Sequence, residues 1–226
     1  MKLCLLASLC LALSSGLALK GAHAIPPSEG HFSVDGLSPE AAGFAIFLEA
    51  DRRASGYEDL KVDLEMTLHT GGSRSSNRSL SIRQLEIDGE GDRLLVVFDT
   101  PKSIRGTALL SYAYKTEPDD QWMYLPALKR VKRIASQNKS GPFLSSEFAY
   151  EDMALQEVEK FSYRLLETKE IAGELHYVVE RVPTDVHSGY ARQIVTLDAR
   201  ELQVRQIEYF DRQERPLKTL EVSGYT

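Results

Sequence analysis

Apolar side chains recur along this chain first at helical and then at strand spacing. Ser38 is an N-cap by type, Pro39 suits the first helical position, where no N–H is needed, and Glu40 suits the positive first turn. Ala41, Phe44, Ala45 and Leu48 follow at intervals of three and four, Ile46 and Phe47 widen the face, and Ser55-Gly56 closes the run. The spacing predicts one amphipathic helix over 39–54.

After Gly56 the period falls to two. Leu60, Val62, Leu64, Met66 and Leu68 alternate with Lys61, Asp63, Glu65, Thr67 and His69, the pattern of a strand with one apolar and one wet face. Gly71-Gly72-Ser73 turns the chain. Leu80 and Ile82 hold one parity and Leu85 and Ile87 the other, so a bulge near Arg83-Gln84 is expected to bend that strand. Further strands are expected over 93–98, 107–114, 121–125, 130–135, 162–168, 175–182, 190–197, 202–210 and 217–225, separated by turns rich in Gly, Pro and Asp. Hairpin-length connections make this an antiparallel meander of about eleven strands, and a twisted sheet of that length curls.

The expected fold is therefore mainly β with a few helices: a curled antiparallel half-barrel with the helix as its plug. It forms a single domain over 38–226, behind a flexible lead at 25–37. One long unstructured connection, 136–159, interrupts the meander. It carries Phe143, Leu144, Phe148, Tyr150 and Met153, too apolar for a solvated linker, and is expected to pack as a lid.

Residues 1–24 read as a secretory signal peptide. Lys2 gives the positive start, Leu3 to Leu13 the short apolar run, and Ala22-His23-Ala24 the small residues at the cleavage site, so cleavage is expected after Ala24. The whole chain carries 33 acidic and 27 basic residues. Loss of Lys2 and Lys20 leaves 25 basic against 33 acidic, a net charge of −8. Such a surface repels nucleic acid. Both cysteines, Cys4 and Cys10, leave with the signal peptide, and with them go disulfides, zinc-thiolate sites and cysteine nucleophiles.

The mature chain has no nucleophile elbow, zinc-protease helix, phosphate loop or EF-hand spacing. His31, His69, His176 and His187 are far apart in sequence and read as exposed surface histidines, and the acidic stretches at 88–92 and 117–120 read as solvated turns. No metal and no cofactor is expected. The run Lys129, Arg130, Lys132 and Arg133, with Lys139 beyond it, reverses the local charge. It reads either as an edge strand guarded by charge or as a docking patch for acidic partners or lipid head groups. Part of it is expected to pair with Glu147, Glu151 and Asp152.

From Trp122-Met123-Tyr124-Leu125-Pro126 through Lys129-Arg130-Val131-Lys132-Arg133, and again over Gly141-Pro142-Phe143-Leu144-Ser145-Ser146-Glu147-Phe148 to Met153, the sequence resembles the bacterial outer-membrane lipoprotein-sorting proteins. Residues 101–110 and 50–68 fit the same pattern. Family members commonly carry glycine where Ser145 stands. The resemblance implies a LolA/LolB-like half-barrel around an apolar cavity, closed by helices, in an exported, periplasmic monomer without catalysis. It implies acyl chains of lipids or lipoproteins as cargo, with an inner-membrane exporter of the RND type and an outer-membrane acceptor as partners. Candidates for cavity and lid are Phe44, Phe47 and Leu48 on the helix, Leu64, Met66 and Leu68 on the first strand, and Phe98, Tyr112, Trp122, Phe143 and Phe148. Two other functions stay open: a phospholipase-like hydrolase in the same cavity, with or without calcium, and an accessory subunit docked to the exporter through the basic patch.

Overall fold

The computed structural model describes residues 32–71 and 74–225. The expected signal peptide, His31 and residues 25–31 of the lead lie outside the described residues. Helix α1 (Pro39–Ala54) has the expected bounds. The Ser38 hydroxyl accepts the Ala41 N–H at 3.2 Å, and Arg52 and Arg53 close the last turn. The Arg52 hydrogen bond, with help from Arg53, holds the Glu49 carboxyl at a pKa of about 2.

Eleven strands follow among the described residues: β1 (Asp59–Thr70), β2 (Arg74–Leu85), β3 (Arg93–Phe98), β4 (Ala108–Tyr112), β5 (Asp120–Leu125), β6 (Arg130–Ile134), β7 (Phe161–Ile171), β8 (Glu174–Pro183), β9 (Tyr190–Asp198), β10 (Val204–Asp211) and β11 (Pro216–Glu221). Each pairs antiparallel with its neighbour in sequence, except that β6 does not pair with β7. The curled half-barrel is thus corrected: the meander divides into two open sheets, β1–β6 and β7–β11, and neither closes into a barrel.

The break has a physical reason in the connection at 136–160. It is not unstructured: it makes short 3-10 turns at Ser136–Asn138, Phe143–Ser145, Tyr150–Met153 and Val158–Lys160, with a bridge between Pro142 and Ala149. Its apolar side chains turn onto the inner face of the first sheet instead of extending the ladder. Phe143 is fully buried, and Phe148 and Met153 nearly so, against Met66, Leu80, Ile82, Val96, Phe98, Leu109 and Met123. Helix α1 covers the other sheet, burying Ile46 and Phe47 against Tyr163, Val179, Val195 and Ile207. Each sheet therefore has its own cover and its own core, and the helix does not plug a common barrel.

Three smaller expectations are also corrected. No bulge bends β2, whose register with β1 and β3 is unbroken; Leu85 changes parity because the strand ends there, and it is exposed. His176 is buried, with Nδ1 2.8 Å from the Glu174 carbonyl, whereas His69 and His187 are exposed. The basic run does not pair with Glu147, Glu151 or Asp152: Arg133 pairs with Asp120 and Lys139 with Asp185. At the turn where the family carries glycine, Leu144 and Ser145 have φ of 46° and 60°. This is the left-handed region that a side chain disfavours and glycine does not.

Candidate functional site

The inner face of the second sheet carries two neighbouring cross-strand rows of different character. Leu165, Val179, Val195, Ile207 and Leu220 form an apolar row. Two residues along each strand, Tyr163, Arg181, Gln193, Tyr209 and Lys218 stand in register as a polar and aromatic row. Strand alternation directs both rows inward. The polar row faces the stretch from Phe148 to Val158.

Between α1, this sheet and that stretch lies an open cleft of about 380 Å³. Phe47, Ala50 and Ala54 of α1 form one wall, Leu197, Leu202, Val204 and Ile207 the opposite one, and Phe148 and Val158 an end. Its polar lining is Arg181, Gln193, Tyr209, Asp152 and Gln156, with Asp51, Arg53 and Glu201 on the exposed side. A second, polar cleft of similar size shares Asp152, Gln156 and Gln193 with the first. Lys139, Lys160, Asp185 and His187 are among its other walls.

The charged groups at the shared wall are mostly paired. Asp152 accepts hydrogen bonds from Lys218 Nζ, from the Tyr190 hydroxyl at 2.8 Å and from the Ala149 N–H at 2.7 Å. Glu151 accepts from the Ser188 hydroxyl at 2.7 Å and the Gly189 N–H at 2.8 Å, while burial pushes its carboxyl pKa up. Burial, with Asp152 and Glu151 nearby, raises the Tyr190 phenol well above its ordinary range. Burial likewise pulls Arg181 below its ordinary value, which for guanidinium still leaves it charged. Among the described residues no group of three His, Cys, Asp or Glu side chains is placed to hold a metal ion.

The residues proposed from sequence fall in five places. Phe47 and Phe148 line the cleft. Phe44 and Leu48 are exposed on α1, with Phe44 meeting Tyr163 edge-on at 6.1 Å. Leu64, Met66, Leu68, Phe98 and Phe143 belong to the core of the first sheet. Tyr112 and Trp122 pack edge to face at 5.3 Å on its outer side, opposite in parity to buried Leu109 and Met123. Lys129, Arg130, Lys132 and Arg133 are all exposed on or beside edge strand β6.

The sequence reading missed Arg181, Gln193 and Lys218. The signal was available: Arg181 shares parity with Tyr177 and Val179, and Gln193 with Val195 and Leu197, so each is a polar residue at an apolar position.

A family model described as "-like: Uncharacterized protein" matches residues 90–226. No curated protein matches the chain. Among solved structures, an outer membrane lipoprotein-sorting protein domain from Vibrio parahaemolyticus is similar at 42% identity, with 83% of this chain and 79% of that one covered and a TM-score of 0.80. A DUF1329 family protein from Desulfovibrio piger is 28% identical over 80% of this chain and 78% of that one, with a TM-score of 0.76. A LolA superfamily protein from Nitrosomonas europaea shares the fold at 20% identity and a TM-score of 0.60, covering 77% of this chain and 74% of that one. With its motifs at 122–153 and the identity and coverage of the Vibrio structure, the chain belongs to the outer-membrane lipoprotein-sorting protein family.

Proposed function

We propose that this protein is a periplasmic carrier for the acyl chains of lipids or lipoproteins bound for the outer membrane, acting by binding and not by catalysis, and that the cleft beneath α1 receives the chain. The observation that carries the reading is a cleft beneath α1 walled by partly buried Val204 and by the buried side chains of Phe47, Leu197 and Ile207, in a member of this family. A cleft of about 380 Å³ lies near the lower end of the range of about 300–1,000 Å³ for small-molecule sites, so it suits one chain and not several.

That size also suits release. Burial is worth about 0.8 kcal/mol per methylene, or about 12 kcal/mol for a 16-carbon chain before the cost of association. One chain held in an open cleft can still be handed on to an acceptor; several held completely could not.

Mass spectrometry of lipid extracted from protein purified from its native periplasm is expected to find a bound acyl lipid. Ala50→Trp, which adds bulk from α1 into the cleft, should reduce the bound lipid by about ten-fold or more with the fold intact by circular dichroism. Absence of lipid from repeated native preparations, or full retention in the variant, would sink the reading.

The basic edge strand is proposed as the surface presented to the anionic membrane, where the exporter and acceptor lie. Lys129, Arg130 and Lys132 are exposed beside Leu128 and Val131, which are 63% and 64% exposed. Each cation near an anionic surface is worth about 1 kcal/mol, so reversing all three to Glu should weaken cosedimentation with anionic phospholipid vesicles by about 100-fold or more at low salt. The melting temperature should stay put. Unchanged vesicle binding would reduce the run to a guard against edge-to-edge pairing, a role that Lys132 already fits by sharing inward parity with Met123.

A further inference from the structure

Resting on the carrier reading, we infer that the cleft beneath α1 selects amphiphiles whose head group carries an anionic oxygen, a carboxylate or a phosphate, and that Arg181 is the residue that recognises it. Arg181 stands on β8 at inward parity and is 7% exposed. Its Nε donates to Gln193 Oε1 at 2.7 Å, and its guanidinium lies over the rings of Phe161 at 4.5 Å and Phe47 at 5.5 Å. Among the described residues no carboxylate lies within ion-pair distance of it, and no acceptor meets its two terminal nitrogens. Yet no side-chain nitrogen or oxygen there is both sealed from solvent and unbonded. The terminal nitrogens therefore keep some contact with solvent, and the space that Arg181 lines is the cleft.

Of the neighbouring acids Asp152 is close enough to act on Arg181 electrostatically, but none pairs with it directly. Asp152 is engaged by Lys218, Tyr190 and the Ala149 N–H, and Glu151 by Ser188 and Gly189. Glu157 accepts the Asp92 N–H at 3.2 Å, and Asp51 and Glu201 are exposed on the open side. A guanidinium 7% exposed has given up most of its hydration without gaining a counter-ion, and stacking on two rings recovers only part of that. An apolar side chain of the same volume would serve the fold better, so a buried, unpaired cation at the floor of an apolar cleft is accounted for by a ligand that brings the anion.

The surroundings suit such a ligand. A chain lying along Val204 and Ile207 would end with its head at the Arg181–Gln193 pair. Gln193 also lines the polar cleft, which leaves room for the rest of a larger head group. Guanidinium meets carboxylate and phosphate oxygens through paired N–H donors, and such charge-assisted hydrogen bonds are about twice as strong as neutral ones.

Calorimetric titration of the delipidated protein with hexadecanoate, hexadecyl phosphate and hexadecanol, three probes with one chain and different heads, tests this. The wild type is expected to bind at least one anionic probe about ten-fold or more tightly than the alcohol. Which anionic probe binds better separates a fatty-acid cargo from a phospholipid-like one. Arg181→Met should bring all three within about two-fold of one another by weakening only the anions, and Arg181→Lys should keep the order with a smaller gap. Equal binding of the alcohol by the wild type, or equal weakening of all three probes in Arg181→Met, would overturn the assignment and leave the carrier reading standing. If none of the three binds the wild type, the carrier reading itself falls. Should Arg181→Met not fold, the wild-type order and Arg181→Lys still decide.

Discussion

Asp152→Ala is expected to cost about 3–5 kcal/mol and to lower the melting temperature by about 10 °C or more, because it strands a buried ammonium. The Asp152 and Lys218 side chains are 8% and 13% exposed. Lys218 Nζ also donates to the Glu147 carbonyl and lies over the rings of Tyr209 at 4.7 Å and Tyr190 at 5.1 Å. Without the carboxylate, the ammonium keeps one carbonyl and ring faces, too little to replace its hydration. The same change frees the Tyr190 hydroxyl and the Ala149 N–H. Position enlarges the effect. Asp152 belongs to the connection that covers the first sheet, whereas Lys218 and Tyr190 belong to the second, so this network ties the two halves together. Adding Lys218→Met to Asp152→Ala should restore more than half of the loss, since it removes the stranded charge and leaves a side chain that packs among the same rings. A melting temperature within about 2 °C of the wild type for Asp152→Ala would show that water reaches Lys218 and that the network is not a fastening.

Local periodicity made the elements legible. α1 begins and ends where its capping residues and apolar spacing place it, and the order of hairpins follows the turns. The division into two sheets was not legible in the same way. Whether β6 pairs with β7 depends on where Phe143, Phe148 and Met153 find burial, and periodicity within a strand carries no information on that. The bulge expected near Arg83 had the same origin: a parity change reads alike whether a strand bends or stops, and here it stops at Leu85.

The cleft was legible only in part, because aromatic residues served as its markers and the middle strands of the first sheet, β3 to β5, carry apolar residues on their outer face as well. Trp122 and Tyr112 sit on that face. Parity would have been the better guide. Arg181, Gln193 and Lys218 break an inward apolar pattern on three strands, and a charged residue held at such a position marks either a fastening or a site. Lys218 is the fastening in this chain, and Arg181 is the head-group site inferred above.

Gly43→Leu is the second large effect expected, and it tests how far the cleft depends on its helical wall. Glycine inside a helix ordinarily costs about 1 kcal/mol relative to alanine. At Gly43 a β-carbon would lie 2.9 Å from the backbone nitrogens of both Arg164 and Leu165 on β7, closer than side-chain carbons approach. The helix therefore touches the strand backbone directly, and neither nitrogen can move without breaking the sheet. Alanine must lift α1 by a few tenths of an ångström, an overpacking strain of about 1–3 kcal/mol set against its helix gain of about 1 kcal/mol. Leucine cannot be accommodated without undocking. Burial of Ile46 and Phe47 would then be lost, at about 1.5–3 kcal/mol each, with a fall in melting temperature of about 10 °C or more. Because Phe47, Ala50 and Ala54 form one wall of the cleft, Gly43→Leu should also abolish lipid retention, as measured by extraction and mass spectrometry. The alanine variant separates the two consequences. With α1 lifted but still docked, it should fold, bind the same cargo and release it faster in a transfer assay to acceptor vesicles, which is the behaviour expected if the helix holds the chain in place. Wild-type release from Gly43→Ala, together with wild-type melting of Gly43→Leu, would mean that α1 is no wall of the carrier and that the cargo sits elsewhere.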